Sequence, residues 1–233
     1  MSAFCYERLN GPQQALYRLA REGIFKHAPA VQAQKAQGED VSAALHALLM
    51  DEPALFWFQG RWRFAGDGEA RRLAFDYCMS KAQAEAARIS ILETGRQLLA
   101  SLDSSFARQA LFGVYRWLLS NVSYGEGPFK GQTLYDALIT RRAVCKGLSK
   151  AFQYLTQELH FECILREGTL DGKTRHLWNA VRLEGAWLNV DVSLGYEAFD
   201  FMFPLKLQGD PCRCFLVSDE KLMQTHRFTE SLL

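Results

Sequence analysis

Arg141-Arg142-Ala143-Val144-Cys145-Lys146-Gly147-Leu148-Ser149-Lys150-Ala151-Phe152 puts a cysteine at the head of a helix-like stretch. From Leu148 onward, apolar residues recur at helical spacing: Leu148, Phe152, Leu155 and Leu159. A thiol at a helix N-terminus meets the positive end of the helix dipole, which favours the thiolate. Arg141, Arg142 and Lys146 add positive charge nearby. Gly147 leaves room for a backbone or a substrate to approach. Thiolate is the nucleophilic form of cysteine. A lone cysteine in such a place is most often a small buried hydrophobe. The residues downstream change that balance.

Arg175-His176-Leu177-Trp178-Asn179-Ala180-Val181-Arg182-Leu183 begins 30 residues after the cysteine, and Ala186-Trp187-Leu188-Asn189-Val190-Asp191-Val192 follows across Glu184-Gly185. Two alternating runs joined by a Gly-containing dipeptide read as a β-hairpin. With Glu184 and Gly185 at the turn, Leu183 faces Ala186 and Trp178 faces Asp191. Side chains alternate with period two, so His176, Trp178, Ala180 and Arg182 share a face with Trp187, Asn189 and Asp191. The opposite face carries Leu177, Val181, Leu183, Leu188, Val190 and Val192 and is expected to face the core. His176 and Asp191 become diagonal neighbours, about 7 Å apart at Cβ. A carboxylate there fixes the imidazole tautomer and stabilises the imidazolium. Cys145, His176 and Asp191 thus supply a nucleophile, a base and an orienting acid. Asn189 is a rival third member, but it pairs opposite Ala180, farther from His176. Asn179 points to the other face.

Val144-Cys145-Lys146-Gly147 with its apolar helix, His176-Leu177-Trp178-Asn179, and Gly185-Ala186-Trp187-Leu188-Asn189-Val190-Asp191-Val192 together resemble the transglutaminase-like superfamily. The resemblance covers roughly residues 111–193. It extends weakly to Phe215–Lys221 and to Thr225-His226. It implies a papain-like α+β core in which a nucleophile helix packs on an antiparallel sheet bearing the His and Asp. Its triad falls on Cys145, His176 and Asp191. It also implies an aromatic donor upstream of the nucleophile, for which Tyr124 is the candidate. Trp178, beside His176, is the other candidate for contact with substrate or oxyanion. The Cys145 N–H is expected to be one oxyanion donor. Some relatives use calcium, but no acidic loop with calcium-ligand spacing occurs here, so no metal and no cofactor are expected.

The chain has 233 residues, nearly half of them hydrophobic, enough for a sizeable core. A net charge of +1 gives no reason to expect nucleic acid or an anionic membrane as partner. No run reaches the ~20 apolar residues of a membrane helix. The N-terminus lacks a basic stretch followed by an apolar one, and the six cysteines follow no framework spacing. A cytoplasmic protein with reduced thiols is expected. Cys212-Arg213-Cys214 with Cys163 or His226 is weak as a zinc site, because structural zinc normally shows two well-spaced ligand pairs.

Residues 1–103 read as a mostly helical region with a small hairpin, expected to pack on a catalytic domain of residues 104–233. Helices are expected over Gln13–Lys26, around Val41–Leu49 until Pro53, over Ala82–Leu102 and over Phe106–Leu119. Ile89, Ile91, Leu92, Leu98 and Leu99 mark the expected inner face of the third. Leu55–Phe58, Gln59-Gly60 and Arg61–Phe64 read as a hairpin, with Arg72–Cys78 as a third strand and the aromatics as core. Thr133 and Asp136 have capping-box spacing. The aromatic stretch Gly195–Pro204 is expected to cover the cleft or close the sheet.

The expected function is cysteine-dependent acyl transfer on amide or peptide bonds, ending in hydrolysis or transamidation, with a protein or peptide as partner. The rival is a non-catalytic protein- or peptide-binding module on the same fold.

Overall fold

A computed structural model describes residues 3–34, 36–66, 70–103, 105–195 and 213–229. The chain divides into two compact units, residues 2–88 and residues 89–233. The stretch 196–204, expected to cover the cleft, lies outside the described residues, as does Cys212.

In the first unit, α1 (Gly11–Phe25) opens with a capping box. The Asn10 side chain accepts from the Gln13 N–H at 3.0 Å, and Gln13 Oε1 accepts from the Asn10 N–H at 3.2 Å. α2 (Gly38–Asp51) ends just before Pro53, which cannot continue a helix. A three-stranded sheet has the order β1 (Ala30–Gln32), β3 (Arg72–Tyr77), β2 (Phe58–Ala65). The expected hairpin at Gln59-Gly60 is not formed. β2 runs through both residues, and the register slips between Phe58 and Arg61. Gly60, at φ 82°, sits in this bulge instead of a turn. Phe56, Trp57 and Phe58 are buried, as expected of core aromatics. α3 (Lys81–Ala100) carries the chain from one unit to the next. Of its expected inner face, Ile91 and Leu98 are buried, whereas Ile89 and Leu92 are exposed.

The second unit is built on a five-stranded antiparallel sheet of order β10-β6-β7-β8-β9. Its strands are β6 (Cys163–Leu170), β7 (Thr174–Leu183), β8 (Ala186–Val190), β9 (Phe215–Val217) and β10 (His226–Phe228). The hairpin β7–β8 has the expected register, with Leu183 opposite Ala186 and Asn179 opposite Val190. Glu184 and Gly185 both take positive φ, 52° and 84°, which two-residue hairpin turns of the I′ kind require.

α4 (Ala107–Asn121) leads to β4 (Ser123–Tyr124), which pairs in parallel with β5 (Arg142–Ala143) just ahead of α5 (Cys145–Glu158). The capping box appears here too. The Thr133 N–H and hydroxyl donate to Asp136 Oδ2 at 3.1 and 2.8 Å, and the Asp136 N–H donates back to Thr133 Oγ1 at 3.1 Å. It opens a wide helical turn, Asp136–Thr140, that delivers the chain to Arg141 in a left-handed conformation. α5 lies against β7 and β6, and the Asn179 amide donates to the Ser149 carbonyl at 3.0 Å.

The hairpin face that carries His176 and Asp191 is covered as well. Trp178, Ala180 and Asn189, on the face shared with His176 and Asp191, have no exposed surface. Trp178 packs in a cluster with Cys214, Val217 and Leu222, joined by Leu194 and Phe228. The returning C-terminal segment covers this face, so the sheet is buried on both sides. The result is an α+β fold with a helix on an antiparallel sheet.

Candidate active site

Cys145 is the first residue of α5, preceded by extended Val144, and no side chain caps the helix. The positive end of the helix is therefore left to the thiol. His176 lies near the start of β7, and Asp191 directly follows β8. The hairpin register brings them together: His176 Nε2 is 2.6 Å from Asp191 Oδ2. Nδ1 is the ring nitrogen left for Cys145, with which His176 shares a hydrogen bond. Both His176 and Asp191 are buried, whereas Cys145 keeps partial exposure.

Asp191 is held from both sides. Its Oδ1 accepts the Ser193 N–H at 2.9 Å, the Ser193 hydroxyl at 2.6 Å and the Leu194 N–H at 3.3 Å. Its Oδ2 takes a second imidazole, His226 Nε2, at 3.1 Å. A buried charge persists only when so compensated.

Residues 94–192 match the family model described as the transglutaminase-like superfamily. This segment is similar to that superfamily. Three solved structures illustrate the wider similarity. One is a crystal structure of a TGase, at 12% identity and TM-score 0.42, covering 57% of this chain and 44% of that one. Another is a cysteine protease candidate from Cytophaga hutchinsonii, at 17% identity and TM-score 0.38, covering 46% and 37%. The third is menin, in a structure revealing its binding site for the Mixed Lineage Leukemia protein, at 14% identity and TM-score 0.39, covering 78% and 35%. The chain spans less than half the length of each of these proteins. No curated protein sequence matches it.

Within this matched segment the electrostatics favour charge on both Cys145 and His176. Burial alone would push the Cys145 thiol up. The hydrogen bond and charge of His176 and the Leu177 backbone N–H outweigh it, and the thiol is held below its usual range. Burial likewise opposes charge on His176, but the Asp191 carboxylate, by charge and by hydrogen bond, together with Cys145, lifts it well above the ordinary imidazole range. Asp191 would be raised by burial. His176 first, then His226, holds it far below the usual carboxylate range.

The basic residues flanking Cys145 contribute less than their positions imply. The Arg141 guanidinium lies over the Trp117 ring, 4.3 Å from its centroid, and Arg142 lies alongside Gly125. Lys146 is within electrostatic reach of Cys145 and of Glu167. Gly147 makes room for backbone: a Cβ there would collide with the Gly131 carbonyl oxygen.

Tyr124, paired with Ala143 in the β4–β5 ladder, comes to the helix start, where its hydroxyl is hydrogen-bonded by the Cys145 backbone N–H. Burial first, then the charge of Cys145, pushes the Tyr124 phenol up, so it stays protonated and able to donate. Trp178 is placed differently from the expectation of substrate contact. It is fully buried, and its indole N–H donates to Asn189 Oδ1 at 3.1 Å. Asn189, the rival third member, is fully engaged elsewhere. It also accepts from Arg166 at 3.0 Å and donates to the Val217 carbonyl at 3.2 Å and Asp219 at 2.7 Å.

In the sequence, His226 stands at the weak end of the family resemblance and as a partner for a weak zinc pattern, with no link to Asp191. Its position beside Asp191 comes from β10 pairing with β6, His226 opposite Leu170. A strand of three residues, His226–Phe228, is too short for its alternation to fix a register from sequence. Among the described residues, His176, Asp191 and His226 are the one group whose donor atoms converge, within 4.8 Å of one another. Both imidazole Nε2 atoms point at a single carboxylate oxygen, which is the geometry of hydrogen bonding and not of a metal centre.

Proposed function

We propose that this protein is a cysteine-nucleophile acyl-transfer enzyme acting on amide or peptide bonds of a protein or peptide substrate. The Cys145 thiolate attacks the carbonyl carbon. The negative charge that develops on the carbonyl oxygen is met by the Tyr124 hydroxyl and by the Cys145 N–H, which exchanges its bond to Tyr124 for one to the oxyanion. As the C–N bond breaks, His176 gives its proton to the leaving amine, and a thioester remains on Cys145. Water or a second amine then attacks the thioester, with His176 taking back a proton. Water gives hydrolysis and an amine gives transamidation. Asp191 orients His176 throughout. The scheme needs no cofactor. A cytoplasmic setting belongs to the same proposal and rests on the scattered cysteines.

The observation that carries this reading is the 2.6 Å contact between His176 Nε2 and Asp191 Oδ2, with the other ring nitrogen left to a thiol at a helix N-terminus. The test uses iodoacetamide at mildly acidic pH with mass mapping, followed by incubation of wild-type and Cys145→Ala protein with a pool of unstructured peptides and a fluorescent primary amine. Cys145 should be modified ahead of every other cysteine. Wild-type protein alone should release new α-amines or attach the fluorescent amine. Cys145 alkylated no faster than the rest, with neither product formed, points instead to the peptide-binding module.

A further inference from the structure

We propose that His226 is a positioning residue for the Cys145–His176–Asp191 cluster, holding the Asp191 carboxylate by a hydrogen bond from Nε2 to Oδ2. The inference rests on the proposed role of Cys145, His176 and Asp191.

The two carboxylate oxygens of Asp191 are held by different parts of the chain. Oδ1 is fixed locally by Ser193 and Leu194, within three residues of Asp191. Oδ2 meets His176 at 2.6 Å and His226 at 3.1 Å. Without His226, the one group among the described residues that holds Oδ2 is the imidazole that the carboxylate is meant to orient. With it, Oδ2 has an anchor from β10, on the far side of β6 from His176.

The proton inventory supports the same direction. An ionised carboxylate only accepts, so His226 Nε2 must carry hydrogen. His226 Nδ1 lies 2.9 Å from Thr225 Oγ1. A hydroxyl can give a proton to Nδ1 or receive one from it, and Nε2 keeps its hydrogen in either case. The Thr225 hydroxyl, also 3.3 Å from the Leu222 carbonyl, fits either state of Nδ1, so the donor role of His226 rests on its contact with Asp191. The surroundings are dry. His226 has no exposed surface, and its ring centroid lies 4.9 Å from that of Trp178 and 5.4 Å from that of His176. Gly168, on β6 between the two histidine strands, makes this packing possible: a Cβ there would stand 2.8 Å from Trp178 Cη2. The nearby charges on this face, Arg166 and Asp219, are paired with each other at 2.5 Å. A hydrogen bond in such a place holds its geometry more firmly than one in water.

A buried histidine that only fills space would leave the titration of Cys145 untouched. The experiment therefore reads the pH midpoint of Cys145 alkylation by iodoacetamide in full-length wild-type, His226→Phe and His226→Gln proteins. Gln can still donate from its amide, whereas Phe cannot. The expected result is a midpoint raised by about one unit in His226→Phe, a roughly tenfold loss of thiolate at acidic pH, with His226→Gln close to wild type. A folded His226→Phe protein with the wild-type midpoint overturns the proposal, as does a folded His226→Gln protein that matches His226→Phe. Imidazole 15N spectra of the wild-type protein decide the matter should the variants not fold. A protonated His226 Nε2 is required, and a bare one refutes the donor role. These readouts need no substrate. Early alkylation of Cys145 without turnover counts against the enzymatic reading alone, whereas an unmoved midpoint counts against His226 alone.

Discussion

At the scale of single residues, Asp191 lifts the His176 imidazole, and His176 in turn lowers the Cys145 thiol by more than the Asp191 charge raises it. With the thiol lowered and the imidazole raised, thiolate and imidazolium coexist between the two. The thiolate is lost as pH falls through the lowered thiol value. The imidazolium is lost as pH rises through the raised imidazole value. Asp191→Asn removes the charge that lifts His176, so the window narrows from both ends. The thiol then titrates nearer the ~8.5 of a free cysteine. The expected outcome is a preserved fold by circular dichroism and an alkylation midpoint about one to two units higher than wild type. An unchanged midpoint would mean that Asp191 has no say in the state of the thiol. Tyr124→Phe makes a separate point. It removes a hydroxyl that the Cys145 N–H touches, while leaving His176 and Asp191 in place. Turnover should fall by about 10²-fold, the order seen for one oxyanion donor, with the Cys145 midpoint nearly unmoved. Full turnover in the folded variant would remove Tyr124 from the oxyanion site.

At the scale of elements, the site depends on the β4–β5 ladder delivering α5 and on the β7–β8 hairpin delivering His176 and Asp191. The first delivery is tight. A Cβ on Gly147, two residues into α5, would collide with the Gly131 carbonyl oxygen and stand 3.0 Å from the Ala143 Cβ. Gly147→Ala would normally favour a helix by about 0.5–1 kcal/mol. Here the methyl meets backbone that cannot step aside, and forced overpacking costs about 1–3 kcal/mol. The variant should be destabilised in urea, with the loss of early Cys145 alkylation as a second sign that the helix start has shifted. A more stable variant would show that the Gly131 segment yields. The second delivery was readable in advance. Glu184-Gly185 accepts positive φ at both turn positions, and the period-two alternation then leaves no freedom in which residues share a face.

At the scale of the whole molecule, the boundary between the two compact units falls between residues 88 and 89, inside α3. Within the second unit, the C-terminal half of α3 packs on α5. The Cβ position of Gly95 lies 3.6 Å from Tyr154 and 3.7 Å from Leu155. Ile91 and Leu98 are buried, and each such side chain contributes about 1.5–3 kcal/mol. That is a large share of the about 5–15 kcal/mol by which domains are stable. A fragment of residues 104–233 loses this half-helix, and should bind a hydrophobic dye or aggregate. A fragment of residues 81–233, which keeps α3 entire, should unfold more cooperatively and at higher temperature. A soluble 104–233 fragment as stable as the longer one would show that α3 is dispensable to the sheet and helix bearing Cys145.

The sequence alone determined the position of Cys145 at a helix start and the common face of His176 and Asp191. Helical spacing and strand alternation are local periodicities, and a two-residue turn transmits one strand's register to the next without outside help. Other features were set by contacts across long stretches of chain. Gly60 reads as a turn residue beside its neighbours, yet pairing with β3 makes it a bulge. Ile89 fits an apolar stripe, yet it is exposed because burial depends on what lies opposite. Trp178 shares the face of His176 and Asp191, but the returning segment around Val217, Leu222 and Phe228 covers it. The same return brings His226 to Asp191, 35 residues away in sequence. Alternation shows which residues face together, whereas the identity of the covering element depends on tertiary packing, and that packing separated the buried Trp178 from the partly exposed Cys145.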